Sequence, residues 1–283
     1  MKNIYSYLIH TYYQMNSKLK KCVILVIFSF LNLGFAQEKV SETINNSTNV
    51  KLKEVYYEQE INFKQLENFL NSKEVNNEVL VGFYNKIVST NGNFRTAYVN
   101  NLEYALIERY YIERLGYFDT LYSSYKEAIK KNVVDKIVDN SNPTIDLAKR
   151  ASSTPANTNS SDGISNTDII APNSDDCSKM NPAPTNCAQL IISKYYANRI
   201  QIPDLRSFVE SKYAMNVNFI ITKEGNFEVK SISNSKKYFD LEMEVLKVSL
   251  ALSKNKKFIA GTQNGKPVNF AYVLPLNLYM VTD

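Results

Sequence analysis

Three stretches of this chain hold side chains capable of chemistry, and each falls one step short of a working motif. Gly261-Thr-Gln-Asn-Gly265-Lys266-Pro267 has the glycines and the lysine of a phosphate-binding loop. But three residues rather than four separate its glycines, Pro267 stands where Ser or Thr must meet the metal, and a strand pattern follows instead of a helix. Glu242 and Glu244 lie two apart on a helical stretch, so they face different ways and read as a solvated first turn, not as an acid–base pair. Asp175-Asp176 lacks the spaced acids and the glycine of a calcium loop. His10 is the only histidine and lies in a stretch expected to be removed, so the mature chain has none. That excludes Ser-His-Asp and Cys-His catalysis and the common zinc sets. The chain reads as non-enzymatic, with no catalytic residues, no metal and no cofactor.

The removal is expected from the N-terminus. Met15-Asn-Ser-Lys-Leu-Lys-Lys is a positive segment, Cys22 to Phe35 is apolar, and Gly34-Phe-Ala36 is a small-x-small cleavage signal. Together they read as a secretory signal peptide over residues 1–36, placing the protein in the periplasm or cell envelope. The alternative is an uncleaved anchor in the inner membrane. The apolar run is about 14 residues, against the roughly 20 of a spanning helix, and it contains Ser29 and Asn32. The net charge of +5 owes much to this segment: without its four lysines, 29 basic residues face 28 acidic ones. The remaining cations are interleaved with acids, so no nucleic-acid footprint is present. Cleavage also removes Cys22 and leaves Cys177 and Cys187. An even pair in an exported chain favours a disulfide, stabilising by roughly 3 kcal/mol, over two free thiols on a mobile segment.

These residues need elements to hold them. An apolar content of 44 % and a charged content of 22 % suit a globular protein with a real core. Residues 37–53 are polar and expected to be flexible. Residues 54–140 carry helical stripes, such as Val79, Leu80, Phe83, Tyr84 and Ile87, and predict a small bundle of three to five helices. Asn91-Gly92-Asn93 reads as a helix stop and Gly116 as a break in phase. Residues 141–186 hold five of the eight prolines among Ser, Thr and Asn, and predict a disordered linker between two folded parts. Residues 187–283 predict a helix from Ala188, a strand Asn216–Thr222, a hairpin loop at Lys223–Asn226 and a partner strand Phe227–Ser233. A helix capped by Asp240 follows, with Leu241, Val245, Val248 and Leu252 buried, then a loop through Gly261 and Gly265 and a last strand.

The last strand poses the functional question. Val268, Phe270, Tyr272, Leu274 and Leu276 alternate, yet Pro275 interrupts them and cannot donate to a ladder. Either the strand lies at an edge, where proline is tolerated and guards against stray pairing, or it completes a core with Pro275 at a bulge. Ile202-Pro203, VNFIITKEGNFEVKSISNS, Phe239-Asp240-Leu241, Lys257-Phe258 and GKPVNFAYVLPLNL occur in order. On these motifs residues 188–278 resemble the TonB C-terminal domain, in its divergent Bacteroidetes-type form. The resemblance implies an α+β fold, with helix-strand-strand-helix-strand order and an antiparallel sheet behind the N-terminal all-α bundle. It implies that the last strand, with Val268, Phe270, Tyr272, Leu274, Pro275 and Leu276, accepts a segment of a partner protein by strand addition. The partner it implies is a TonB-dependent outer-membrane transporter, with an inner-membrane motor only if the N-terminus stays as an anchor. Transduction of energy for transmembrane transport, a soluble adaptor or scaffold, and a homodimer through the sheet edge all remain open. N-terminal sequencing of the protein recovered from the envelope is expected to read Gln37-Glu-Lys-Val; an intact first segment would replace cleavage by anchoring.

Overall fold

The structure, a computed structural model, describes residues 40–97, 101–134, 144–146, 168–177, 186–202, 205 and 212–279. Residues 1–36, read above as a signal peptide and including His10 and Cys22, lie outside the described residues, as does Pro203. Among the described residues no helix is long and apolar enough to cross a membrane. The fold is α+β. Helices α1 (Val50–Ser72), α2 (Asn77–Ala97) and α3 (Asn101–Val134) come first. Strands β1 (Thr144–Asp146) and β2 (Ile169–Ile170) follow, then α4 (Cys187–Ala197), β3 (Lys212–Ile221) and β4 (Phe227–Asn234). Helix α5 (Phe239–Asn255) precedes β5 (Thr262–Gln263), β6 (Lys266–Pro267) and β7 (Asn269–Tyr279).

Two compact units result, and the boundary does not fall in the expected linker. The first holds residues up to Gln59 together with Thr90–Arg114. Residues 40–46 are helical here, and Val40 and Ile44 are buried, which corrects the reading of 37–53 as flexible throughout. Asn49 explains why α1 starts where it does. Its Oδ1 accepts the amide of Leu52 at 3.1 Å, a side-chain cap, and its Nδ2 donates to the carbonyl of Ala97. The rings of Tyr56 and Tyr110, 6.0 Å apart, and of Phe94 and Tyr111, 5.9 Å apart, fill the interior.

Helix α2 runs straight through Asn91-Gly92-Asn93, against the stop expected there. A mid-helix glycine costs about 1 kcal/mol relative to alanine. Phe94 and Ala97, one turn further on, are both buried, and burying a phenylalanine contributes about 1.5–3 kcal/mol. Packing therefore outweighs the local signal. Helix α3 is likewise unbroken at Gly116, flanked by buried Leu115 and Phe118.

The second unit holds Glu60–Ser89 and Leu115 onward, so the later half of α1, the start of α2 and the end of α3 belong with the sheets. They meet α5 at its first turn. Phe239, fully buried, has ring centroids of Tyr122 at 5.3 Å, Tyr84 at 5.8 Å and Phe118 at 6.0 Å around it. The expected cap on α5 is corrected. Tyr238 is the N-cap and makes no side-chain cap bond, while Asp119 of α3 accepts the amide of Phe239 at 2.7 Å. A helix N-terminus carries unsatisfied amides and partial positive charge, so a carboxylate from a neighbouring helix serves as well as one from its own sequence.

The four-stranded sheet has the order β1-β7-β3-β4. β3 is antiparallel to both β4 and β7, and β1 is parallel to β7. One face is covered by α4 and α5, where Ile192, Tyr196, Leu241, Val245 and Val248 pack on Val217, Phe219 and Phe270. The Tyr196 hydroxyl and Ser249 Oγ lie 2.6 Å apart inside this core, and burial pushes the Tyr196 phenol well up. The other face carries exposed Lys212, Ala214, Asn216, Ser231 and Ser233. Lys223–Asn226 makes the expected hairpin loop, with Gly225 at φ +80°. The loop through Gly261 and Gly265 proves to be a hairpin: β5 and β6 pair around Asn264 at φ +52° and Gly265 at φ +74°, the two left-handed positions a type I′ turn demands.

Residues 168–177 are ordered, although they fall in the stretch expected to be a disordered linker. β2 pairs with β5, Asn173 bridges Ile259, Asp176 meets Lys256 at 2.7 Å, and the sulfurs of Cys177 and Cys187 are bonded. Pairing with a preformed loop supplies the order that polar composition alone cannot.

Glu242 and Glu244 are not solvated, contrary to expectation: each is 1 % exposed. Lys247 Nζ donates to Glu244 at 2.7 Å, and Lys126 Nζ reaches both oxygens of Glu242 at 2.6 and 2.7 Å. Burial raises the Glu242 pKa, the Lys126 ammonium pulls it back, and the Asp119 carboxylate adds to the rise. A raised folded pKa means that the native state holds this proton more tightly than the unfolded chain. Its contribution to stability is present below about pH 4.5, the ordinary value, and is lost as pH rises through the folded value. Lys126→Met leaves the carboxylate buried without its cation and is expected to cost about 3–5 kcal/mol at pH 7. The cost is expected to shrink as pH falls through the raised Glu242 value and the carboxylate takes up its proton, as followed by urea unfolding at a series of pH values. A pH-independent cost would remove Glu242 as its origin.

Candidate strand-docking edge

The alternation of β7 decides which of its atoms a partner can reach. β7 runs against β3 from Lys212↔Tyr279 to Ile221↔Phe270, and the register passes Asn216↔Pro275 without a shift. The bulge alternative for Pro275 is thereby excluded; the one register shift lies between Asn218 and Phe219 on the β4 side.

Two bonds set the direction of every backbone group. The amide of Thr222 donates to the carbonyl of Asn226 at 2.9 Å, and the amide of Ser235 donates to the carbonyl of Ala214 at 3.5 Å. Even-numbered residues of β3 therefore turn to β4 and odd-numbered ones to β7, because consecutive strand residues point their N–H and C=O to opposite sides. Residues 213, 215, 217, 219 and 221 pair with 278, 276, 274, 272 and 270. These even-numbered residues of β7 spend both backbone groups on β3. The odd-numbered ones, Ala271, Val273, Pro275, Asn277 and Tyr279, turn theirs outward.

The sequence-derived site residues thus serve a different purpose from the one expected. Phe270, Tyr272 and Leu274 are buried against α4 and α5, and Leu276 is half-buried beside them. Val268 is buried as well and precedes β7. Tyr272 stacks on Phe219 with centroids 5.1 Å apart, and burial pushes its phenol far up, so it stays protonated. Of the six residues only Pro275 belongs to the outward row. It lacks an N–H, so the row reads donor and acceptor at Val273, acceptor alone at Pro275, then donor and acceptor at Asn277 and Tyr279. The side chains beside it are exposed: Val273 is 37 % and Tyr279 67 % exposed, with Lys212 Nζ 5.8 Å from the Tyr279 ring. That Asn277 and Tyr279 turn their backbone outward is not legible in the sequence, because hydrogen-bond direction depends on which strand lies on which side. The strand period was visible; the neighbours were not.

β7 is not a bare edge. β1 lies along it in parallel, with Thr144, Ile145 and Asp146 opposite Asn269, Phe270 and Ala271. Beyond Ala271, among the described residues, no strand pairs with the outer side of β7. The opposite edge of the sheet is β4, and it is blunted. Val229 pairs with Phe219 and Ser231 with Asn218, so Lys230 is the extra residue of a bulge, and Lys230 and Glu228 expose charge along it. Among the described residues no group of three potential metal ligands occurs. Set against models of known families, curated proteins and solved structures, the chain matches none.

Pro275→Val returns the missing donor without touching the core-facing row. The variant is expected to self-associate at least several-fold more strongly than the wild type by sedimentation, because an uninterrupted flat edge templates pairing. Equal association constants would mean that Pro275 does not guard this edge.

Proposed function

We propose that this is a non-enzymatic exported protein whose C-terminal sheet binds an extended segment of a partner protein by strand addition along the outer side of β7. The observation that carries the reading is the outward row of Val273, Asn277 and Tyr279, with backbone groups directed away from β3 and exposed side chains beside them. Main-chain bonds supply affinity in this mode, and alternate side chains supply selection. The element order of residues 187–279 and the motifs from VNFIITKEGNF to GKPVNFAYVLPLNL support a TonB-like domain, and with it a TonB-dependent outer-membrane transporter as the partner. Transduction of energy to such a transporter requires an anchor to the inner-membrane motor. The short apolar run Cys22–Phe35 favours cleavage instead, and with it a periplasmic adaptor that uses the same edge.

Photoreactive residues at Val273 and Asn277, with Lys230 on β4 as the control edge, test this in envelope preparations. Capture of a transporter or another envelope protein from 273 and 277 but not from 230 is the expected result. Capture of a second copy of this chain alone would make the edge a dimer interface. No capture, or equal capture from β4, would sink strand addition at β7.

A further inference from the structure

We propose that Thr144–Asp146 is a built-in guest strand, which holds the first part of the β7 edge and must be displaced by any strand arriving there from outside. The consequence for an outside strand rests on the docking reading above; the occupancy itself does not.

The geometry is specific. Asn269 and Ala271 turn their backbone groups outward, by the same alternation that turns Phe270 and Tyr272 to β3. In the parallel register Ile145↔Phe270, Ile145 is the residue that answers them. Its N–H meets the carbonyl of Asn269, and its carbonyl meets the N–H of Ala271. β1 is a strand of three residues and, among the described residues, pairs with β7 alone, on one side. It arrives through a chain segment with Pro143 immediately before it, so the ladder cannot gain a donor at that end.

A ladder this short would not form between separate molecules at ordinary concentrations. Here the strand is tethered: α3 ends at Val134 on one side, and β2 begins at Ile169 on the other. Tethering of this kind supplies an effective concentration on the order of millimolar. A contact whose intrinsic dissociation constant lies about tenfold below that concentration is then roughly nine-tenths occupied and yet readily exchanged. The edge is in consequence divided. Residues 269–271 are held by the chain itself, and the row from Val273 to Tyr279 lies beyond. A guest that pairs along the whole of β7 competes with β1; a guest confined to Asn277 and Tyr279 does not.

Amide hydrogen exchange on the full mature chain reads this directly. The Ala271 N–H depends on β1, whereas those of Phe270 and Tyr272 depend on β3 and report whether β7 itself is intact. In wild type Ala271 is expected to be protected. In Ile145→Pro, which removes the donor of β1, its protection is expected to fall at least about tenfold while Phe270 and Tyr272 are unchanged. Replacing Thr144–Asp146 by Gly-Ser-Gly is expected to do the same. A peptide of residues 141–149, added to either variant at millimolar concentration, is expected to restore protection at Ala271. Three results would each overturn the proposal: an unprotected Ala271 in wild type, an unchanged one in both variants, or no restoration by the peptide. Equal loss at all three amides would overturn it too, by making β1 a structural support of β7. No outside partner is present in this assay, so its outcome is independent of whether photocrosslinking captures one.

Discussion

The pairing of β7 with β3 is the constraint on which the rest of this fold depends. It joins the last strand of the chain to the first long strand of the sheet over ten residue pairs, and it assigns every residue of β7 to one of two tasks. Even-numbered residues turn their side chains to the face covered by α4 and α5 and give their backbone to β3. Odd-numbered residues place their side chains on the opposite face, exposed from Val273 onward, and turn their backbone to the outer edge. A shift of one residue would exchange the two sets and put Phe270, Tyr272 and Leu274 into water. The cost of exposing three such side chains, about 1.5–3 kcal/mol each, is what holds the outward row in place. Core and edge are thus two readings of one register.

Helix α5 is the second fixed point. Its buried stripe closes the sheet, and its first turn is held by four residues of α3: the Tyr122 and Phe118 rings about Phe239, the Asp119 carboxylate on the Phe239 amide, and Lys126 on Glu242. A buried ion pair of this kind adds little net stability, since desolvation offsets most of the attraction. It does define position, because an uncompensated Glu242 is far costlier than a paired one. The helices and the sheet therefore share an interior in the second unit, and residues 60–89 and 115–134 are not a module free to swing on a linker.

The stretch between α3 and α4 is where composition misleads most. It is rich in Ser, Asn and Pro, and it has too little apolar content to order itself. Short pieces of it are nonetheless ordered by what they touch. Residues 168–177 add to the β5–β6 hairpin and close on α4 through the Cys177–Cys187 bond, while 144–146 add to β7. In each case a preformed edge supplies the partners that the segment lacks.

The sequence by itself determined the element order of the C-terminal part, the hairpin at Gly225, the buried stripe of α5 and the pairing of the two cysteines. All are local in origin: side-chain period, turn chemistry, and two thiols with a sequence separation of 10. It also marked Pro275 as the residue in need of explanation. Four features were decided only by the tertiary structure. Helix α2 continues past Gly92 because Phe94 has a core to enter. Asp119, not Asp240, caps α5, and Glu242 is buried because Lys126 stands opposite it. The outer edge of β7 is partly filled by the chain's own Thr144–Asp146. These are contacts between residues far apart in the chain, and no local period or propensity encodes which distant group will stand beside a given amide, carboxylate or strand edge.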